Sequence, residues 1–377
     1  MNPVNQTIYY IDDDKITERQ NSSYVSVARH LMKQPYYYVE FKLFLGRLPD
    51  VIPRGILAAL IKGSMHLVLV NSHEAFHSIV SEIYNIAVDL LLIPPENITL
   101  FSESADIYSE VKYMANLRNR SEIKVVWAHL FELMLKSNLI YKEFNDMDIL
   151  PVKKYTKSFL NFNRRWRLHR PTLVALFYTF GILDKGYVSL GEAEEGESWR
   201  KIWPMILHQN RDTLGITNLL LSKQEEICNL PPLYIDTENL IQNPVELEPE
   251  TQYLYSETYF SVVSETNFYK LFQPGRFLSE KVFKPIAMYH PFIIVSVPNT
   301  LSLLRELGYK TFSPWINESY DEENDDNKRL LMVAKETKRL SNLTETEITE
   351  FINNVRNICI HNRDVLLNKD IFYRELN

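Results

Sequence analysis

The stretch SMHLVLVNSHEAFHSIVSEIYNIAVDLLLIPPENITLFSES, Ser64 to Ser104, decides the fold. An apolar, β-branched run ends near Val70, as a buried strand should. Ile79, Ile83 and Ile86 then recur on one face of a helix over about Glu74 to Leu91, and ITLF, Ile98 to Phe101, returns to strand chemistry. Strand, helix and strand in that order form a βαβ unit with parallel strands. IKVVWAHLFELMLKS, Ile123 to Ser137, is expected to add a helix to this N-terminal domain.

The alternation recurs later. YFSVVSET reads as a strand, SEKVFKPIAMYH as a helix, PFIIVSVP as a strand and NTLSLLRELGYK as a helix stopped by Gly308. Before them, SFLNFN is a short strand, NRRWRLHR a basic turn, and Pro171 to Leu183 a helix closed by Gly186. Residues 198–251 show no clear periodicity, and the chain reads as helical from Asn327 onward. The polar, proline-containing segment Tyr141 to Lys157 marks a boundary. The expectation is an α/β protein with two Rossmann-like domains across a cleft, 1–150 and 151–340, and a helical tail over 341–377.

Composition narrows the classes. With 377 residues and a net charge of -7, the chain is long enough for two cores and too acidic for non-specific nucleic-acid binding. Cys228 and Cys359 cannot make a disulfide framework or a thiolate metal site, which suits a reducing cytoplasm. The polar start MNPVNQTIYYIDDDK is unlike a secretory signal, and the longest apolar runs fall short of the roughly 20 residues of a membrane helix.

In RFLSEKVFKPIAMYHPFIIVSVP, Arg276 to Pro298, Ser279 is a helix cap, and helix N-termini favour anions. Lys281 adds a point charge for a diphosphate, and Glu280 suits ribose hydroxyls. The strand before it should end near Glu265 and Asn267, at the same sheet edge. Arg170, placed just before a helix at Pro171, could clamp a diphosphate bidentately. Arg164, Arg165 and Arg167 around Trp166 suit either a solvated turn or a nucleic-acid patch.

FSVVSETNF followed by FLSEKVFKPIAMYHPFIIV resembles the donor-site signature of the family-ten fucosyltransferases, which have a Glu-Asn-Ser-like strand end and Thr-Glu-Lys opening a helix. WRLHRPTLVALF is similar to the same family's arginine-plus-helix segment, and the likeness extends to glycosyltransferases of large viruses and phages. The resemblance covers mainly Lys157 to Asp184 and Tyr255 to Trp315. It implies that Arg170 and Lys281 hold the diphosphate of a GDP- or UDP-linked sugar and Glu280 its ribose. Three departures bear on the sugar: Thr266 and Asn267 where the family prefers Asn-Ser, Pro285 inside the helix, and MYHP in place of a small Ala-Gly segment.

Inverting transfer needs a carboxylate beside the acceptor hydroxyl. Glu103, after ITLF, is the first choice and Glu74 the second, with Asp106 nearby. Either glutamate could instead cap the following helix. His73 and His77 lack a matching carboxylate for a metal, and Asp12 to Asp14 lie before the first βαβ unit, so no metal site is expected. The reading is a metal-independent, cytoplasmic glycosyltransferase, GT-B-like, with 1–150 on the acceptor side and 151–340 binding the donor, no cofactor beyond its sugar nucleotide and a glycan or other hydroxyl acceptor. Alternatives are a glycosyltransferase acting on a hydroxymethylated DNA base and a non-catalytic nucleotide-binding protein.

Overall fold

The computed structural model describes residues 8–12, 15–19, 28–29, 31–41, 45–71, 78–141, 155–163, 167–190, 199–211, 214–230, 233, 235, 249–269, 275–370 and 373–376. The chain divides into two compact units, Met1–Leu130 with Leu271–Phe277 and Asp370–Asn377, and Phe131–Lys270 with Leu278–Lys369. Each carries a mainly parallel sheet, so the α/β class and the two-sheet architecture are as expected.

The first unit holds β1 (Ile8–Asp12), β2 (Lys15–Arg19), β3 (Tyr36–Phe41), α1 (Arg54–Ile61), β4 (His66–Asn71), α2 (Ser78–Ile83) running into a π-helical stretch over Tyr84–Leu90, β5 (Ile98–Ser102), α3 (Ile107–Arg118) and β6 (Lys124–Ala128). A strand from the chain's end, β11 (Tyr373–Leu376), pairs antiparallel with β6. The sheet order is β11-β6-β5-β4-β3-β1-β2. From β1 to β6 the parallel strands follow chain order with no reversal, and right-handed crossovers stepping one way put their helices on one face. Packing agrees: Tyr37, Val39, Leu67, Leu69, Ile98 and Leu100 share a core with Leu60 of α1, Ile79 and Ile83 of α2, and Ile107 and Val111 of α3.

The predicted βαβ unit is present, with β4 and β5 parallel. One expectation on this unit is corrected. VVWA, read as helix, is β6, and only from Leu130 does the chain turn helical, in α4 (Leu130–Tyr141). A short apolar run buried in a parallel sheet has no alternation to mark it as a strand.

The second unit continues with β7 (Phe159–Asn161), α5 (His169–Thr179), β8 (Gly186–Val188), α6 (Trp199–Gln209), α7 (Leu214–Ser222), α8 (Gln224–Cys228), α9 (Pro249–Ser256), β9 (Phe260–Ser264), α10 (Glu280–Ala287), β10 (Phe292–Val295), α11 (Thr300–Glu306), α12 (Asp326–Ser341) and α13 (Glu345–Asn368). Its strands all run parallel in the order β10-β9-β7-β8. The helix after the basic turn ends at Thr179, seven residues before the expected Gly186. Gly181, at φ +67°, closes it, with Ile182 N–H bonding Phe177 O and Gly181 N–H bonding Tyr178 O, a left-handed cap that suits glycine. Gly186 has another reason to be glycine: a Cβ there would lie 2.5 Å from the Phe159 ring.

A buried acid in this unit sets a pH dependence. Asp321, 6 % exposed, accepts the Leu301 N–H at 3.1 Å at the start of α11. Burial pushes its carboxyl from 3.8 up to about 6, against the partial opposition of the Leu301 backbone bond and Arg305. Between those values the folded chain holds a proton that the unfolded chain releases, so stability falls as pH rises, by up to about 3 kcal/mol from this group. Asp321→Asn should remove that component. Urea unfolding from pH 4 to 7 should show the variant gaining on the wild type as pH rises; parallel stability curves would contradict it. Among the described residues no helix is long and apolar enough to cross a membrane.

Candidate functional site

Open parallel sheets bind ligands outside their carboxyl ends, where the strand order reverses. In the second unit the chain steps from β7 to β8 on one side, then returns past β7 to β9 on the other. The reversal therefore lies between β7 and β9, whose carboxyl ends are Asn161 and Ser264.

Buried polar groups crowd that edge. Asn161, fully buried, donates from Nδ2 to Val262 O at 2.7 Å and to Ser264 Oγ at 3.2 Å, tying the two strands together. Asn163, also fully buried, donates to Asn161 Oδ1 at 2.5 Å and Ser189 O at 3.1 Å. Sequence reading passed over both asparagines, although their place in NFN at the end of an apolar strand was a usable signal.

One residue past β9, Glu265 is fully buried. Its Oε1 accepts the Ser279 N–H at 3.0 Å and its Oε2 accepts the Ser279 hydroxyl at 2.7 Å. Burial pushes the Glu265 carboxyl above its ordinary value, while Lys281 and the two Ser279 bonds pull it back. Held this way, Ser279 caps α10 as expected, its Oγ accepting the Lys281 N–H at 3.3 Å and the Lys281 Nζ at 2.9 Å. Lys281 Nζ also donates to Glu280 Oε1 at 3.0 Å. Burial acts to raise the Glu280 carboxyl, but Lys281, Lys284 and its own backbone N–H outweigh that and leave it below the ordinary range. An ammonium has three donors, and these two bonds leave Lys281, part-exposed, one more to offer.

Arg170 stands behind this cluster, 2 % exposed, within α5 and not ahead of it. Its guanidinium donates to Ser264 O at 3.0 Å and Glu265 O at 3.3 Å, so it braces the end of β9. His169 beside it bonds Glu265 O through Nε2 at 3.1 Å and stacks on Phe268 with ring centroids 4.9 Å apart. Burial, with Arg170 adjacent, holds that imidazole well below its usual value, so it is neutral and its Nε2 donates. Asn267 is buried, and its backbone oxygen accepts from Ser296 Oγ at 3.2 Å. Phe268 O accepts at 2.8 Å from the buried Arg329, which also donates to Ser296 O at 2.9 Å and fixes the loops after β9 and β10.

The structure thus brings together Glu265, Ser279, Glu280 and Lys281, with Arg170 as their support. Glu103 lies in the first unit, 8 % exposed, immediately after β5. It does not cap the next helix: Asp106 holds the cap position of α3, without a side-chain capping bond. Glu74, Arg165, Arg164, Trp166, His73 and His77 lie outside the described residues. Of the acidic run, Asp12 is the last residue of β1 and lies opposite Lys15 in the backbone register of β1 and β2. Among the described residues no group of three His, Cys, Asp or Glu could hold a metal ion.

A cavity of about 550 Å³ opens elsewhere in the second unit, beside the starts of β7 and β8, lined by Tyr178, Leu183, Tyr187, Val188 and Leu233 with Lys157. Lys157 spends its Nζ on Asp184 O, and the cavity lacks the charged cluster of the opposite sheet edge.

No protein-family model matches this sequence, and no curated protein matches it. Solved structures are similar to this chain, three of them as follows. They are the N-terminal domain of a Candida albicans trehalose-6-phosphate phosphatase (10% identity, 91% of this chain and 71% of that one, TM-score 0.43), and UDP-forming α,α-trehalose-phosphate synthases from Burkholderia vietnamiensis (11%, 91% and 72%, 0.41) and Burkholderia xenovorans (10%, 91% and 75%, 0.42).

Proposed function

We propose that this chain is a glycosyltransferase of the GT-B kind that moves a sugar from a nucleoside-diphosphate sugar to an acceptor hydroxyl, in the cytoplasm and without a metal ion. The observation that carries this reading is the Glu265–Ser279–Glu280–Lys281 cluster at the strand-order reversal of the second sheet. A departing diphosphate needs fixed positive charge, supplied here by Lys281 and the start of α10. Glu265 does not touch the ligand in this account. It orients Ser279, which orients Lys281, and Arg170 and His169 hold Glu265 in place. Glu280, tethered to Lys281, is the acceptor for ribose hydroxyls. Glu103 is the general base. The likeness of the α10 region to family-ten fucosyltransferases favours a fucosyltransferase-like transfer from a GDP- or UDP-linked donor.

Ligand-induced thermal stabilisation tests this directly. GDP, UDP, GDP-fucose and UDP-glucose are added to the chain with and without EDTA. At a hundredfold excess over its Kd a true donor or product stabilises by about 2.7 kcal/mol. The expected result is a shift with at least one of them that EDTA leaves intact. No shift at millimolar ligand would sink the donor site, and a shift abolished by EDTA and restored by manganese would sink metal independence.

A further inference from the structure

The segment between β9 and α10 is not wholly part of the second unit: Leu271–Phe277 belongs to the first. There Gly275 and Arg276 pack on the loop that follows β5. Arg276 N–H donates to Asp106 Oδ2 at 2.7 Å, its Nε to Oδ1 at 3.1 Å and its terminal nitrogen to Oδ1 at 2.8 Å. Arg276 O in turn accepts the Ala105 N–H at 2.9 Å. Both side chains are partly buried, at 24 % and 33 % exposed. Gly275 lets the two strands of chain meet, since a Cβ there would lie 2.1 Å from Ser104 Oγ.

These contacts surround one residue. From its other side the loop is fixed by Trp127 Nε1, which donates to Glu103 O at 3.2 Å, and by Ser104 N–H, which bonds Ser102 Oγ at 3.2 Å. The Asp106 carboxylate sits at the start of α3, where an aspartate ordinarily caps its helix, and is spent on Arg276 instead. We propose that Arg276 and Asp106 are positioning residues for Glu103: a guanidinium from a remote segment clamps the loop that carries the general base. The inference rests on the reading of Glu103 as base and adds how its carboxylate is aimed. A planar fork bonded to one carboxylate by two nitrogens fixes orientation as well as distance, which a lysine cannot reproduce. Only oriented groups transfer protons efficiently.

The test uses full-length Arg276→Ala, Arg276→Lys, Asp106→Asn and the exchanged pair Asp106→Arg with Arg276→Asp. Amide hydrogen exchange reads the clamp without any activity. The Ala105 and Arg276 amides should exchange at least tenfold faster in Arg276→Ala, with the strands of the first sheet still protected. Unchanged exchange overturns the clamp, whatever the protein's function. Sugar transfer reads the aim. In Arg276→Lys, kcat should fall roughly 10- to 100-fold while the donor KM and GDP or UDP affinity stay within about twofold, and the exchanged pair should recover part of the loss. Loosened amides with unchanged kcat would leave the pair holding the loop but overturn its role in aiming Glu103. Failure of the wild type to bind any nucleoside diphosphate would instead sink the donor reading and leave the exchange result to decide the clamp.

Discussion

Glu103→Gln should transfer sugar about 100 to 10,000 times more slowly than the wild type, the usual span for a positioned acid-base group. The expectation comes from where the residue sits: at the carboxyl end of a buried parallel strand, 8 % exposed, on a loop held by Trp127 and by Arg276. Glutamine keeps the volume and can keep a hydrogen bond, but it cannot accept the acceptor's proton. Donor affinity should therefore survive and only turnover fall. Asp106 is not a neutral control, because it bonds Arg276. Glu96, exposed at the other end of β5, is the better one, and Glu96→Gln should retain full activity. Wild-type turnover in Glu103→Gln would mean that the base is another residue.

Lys281→Ala should weaken nucleoside-diphosphate binding by about 1.5 to 3 kcal/mol, the range for one charge-assisted hydrogen bond, which is roughly 10- to 150-fold in Kd. Two effects add here. The phosphate loses its cation, and Glu280 loses the ammonium that neutralises it, so an uncompensated carboxylate faces the anion. The fold should tolerate the change because Lys281 is part-exposed and Ser279 still caps α10. Exposed Lys335 on α12 serves as the control. Calorimetry reads the loss, and equal affinities in Lys281→Ala and Lys335→Ala would remove Lys281 from the site.

Much of this was legible because apolar strands and capped helices leave local marks. FIIV, short, β-branched and set between two prolines, reads as a buried strand, and Ser279 before Glu280 and Lys281 announced a helix start that the structure confirms. What escaped depends on partners far apart in the chain. Glu265 reads as a polar strand end that could touch a ligand; its fully buried state follows from pairing with Ser279, fourteen residues later. Arg170 reads as a free clamp, yet the carbonyls it holds lie 94 and 95 positions away. The helix α6 was missed for a local reason: Trp199, Ile202, Trp203 and Ile206 do line one face, but Pro204 among them argues against a helix. Strand β3, YYYVEF, was passed over although aromatic and β-branched residues favour strands.

The central claim is that Lys281 and the start of α10 bind the diphosphate of a sugar nucleotide. Its most direct test is a calorimetric titration of the wild-type chain and of Lys281→Ala with a nucleoside diphosphate and with the matching nucleoside. The account predicts that the wild type binds the diphosphate at least tenfold more tightly than the nucleoside, and that Lys281→Ala erases most of that difference while leaving nucleoside affinity unchanged. Equal binding of the two ligands by the wild type, or a diphosphate preference that survives in Lys281→Ala, would contradict it.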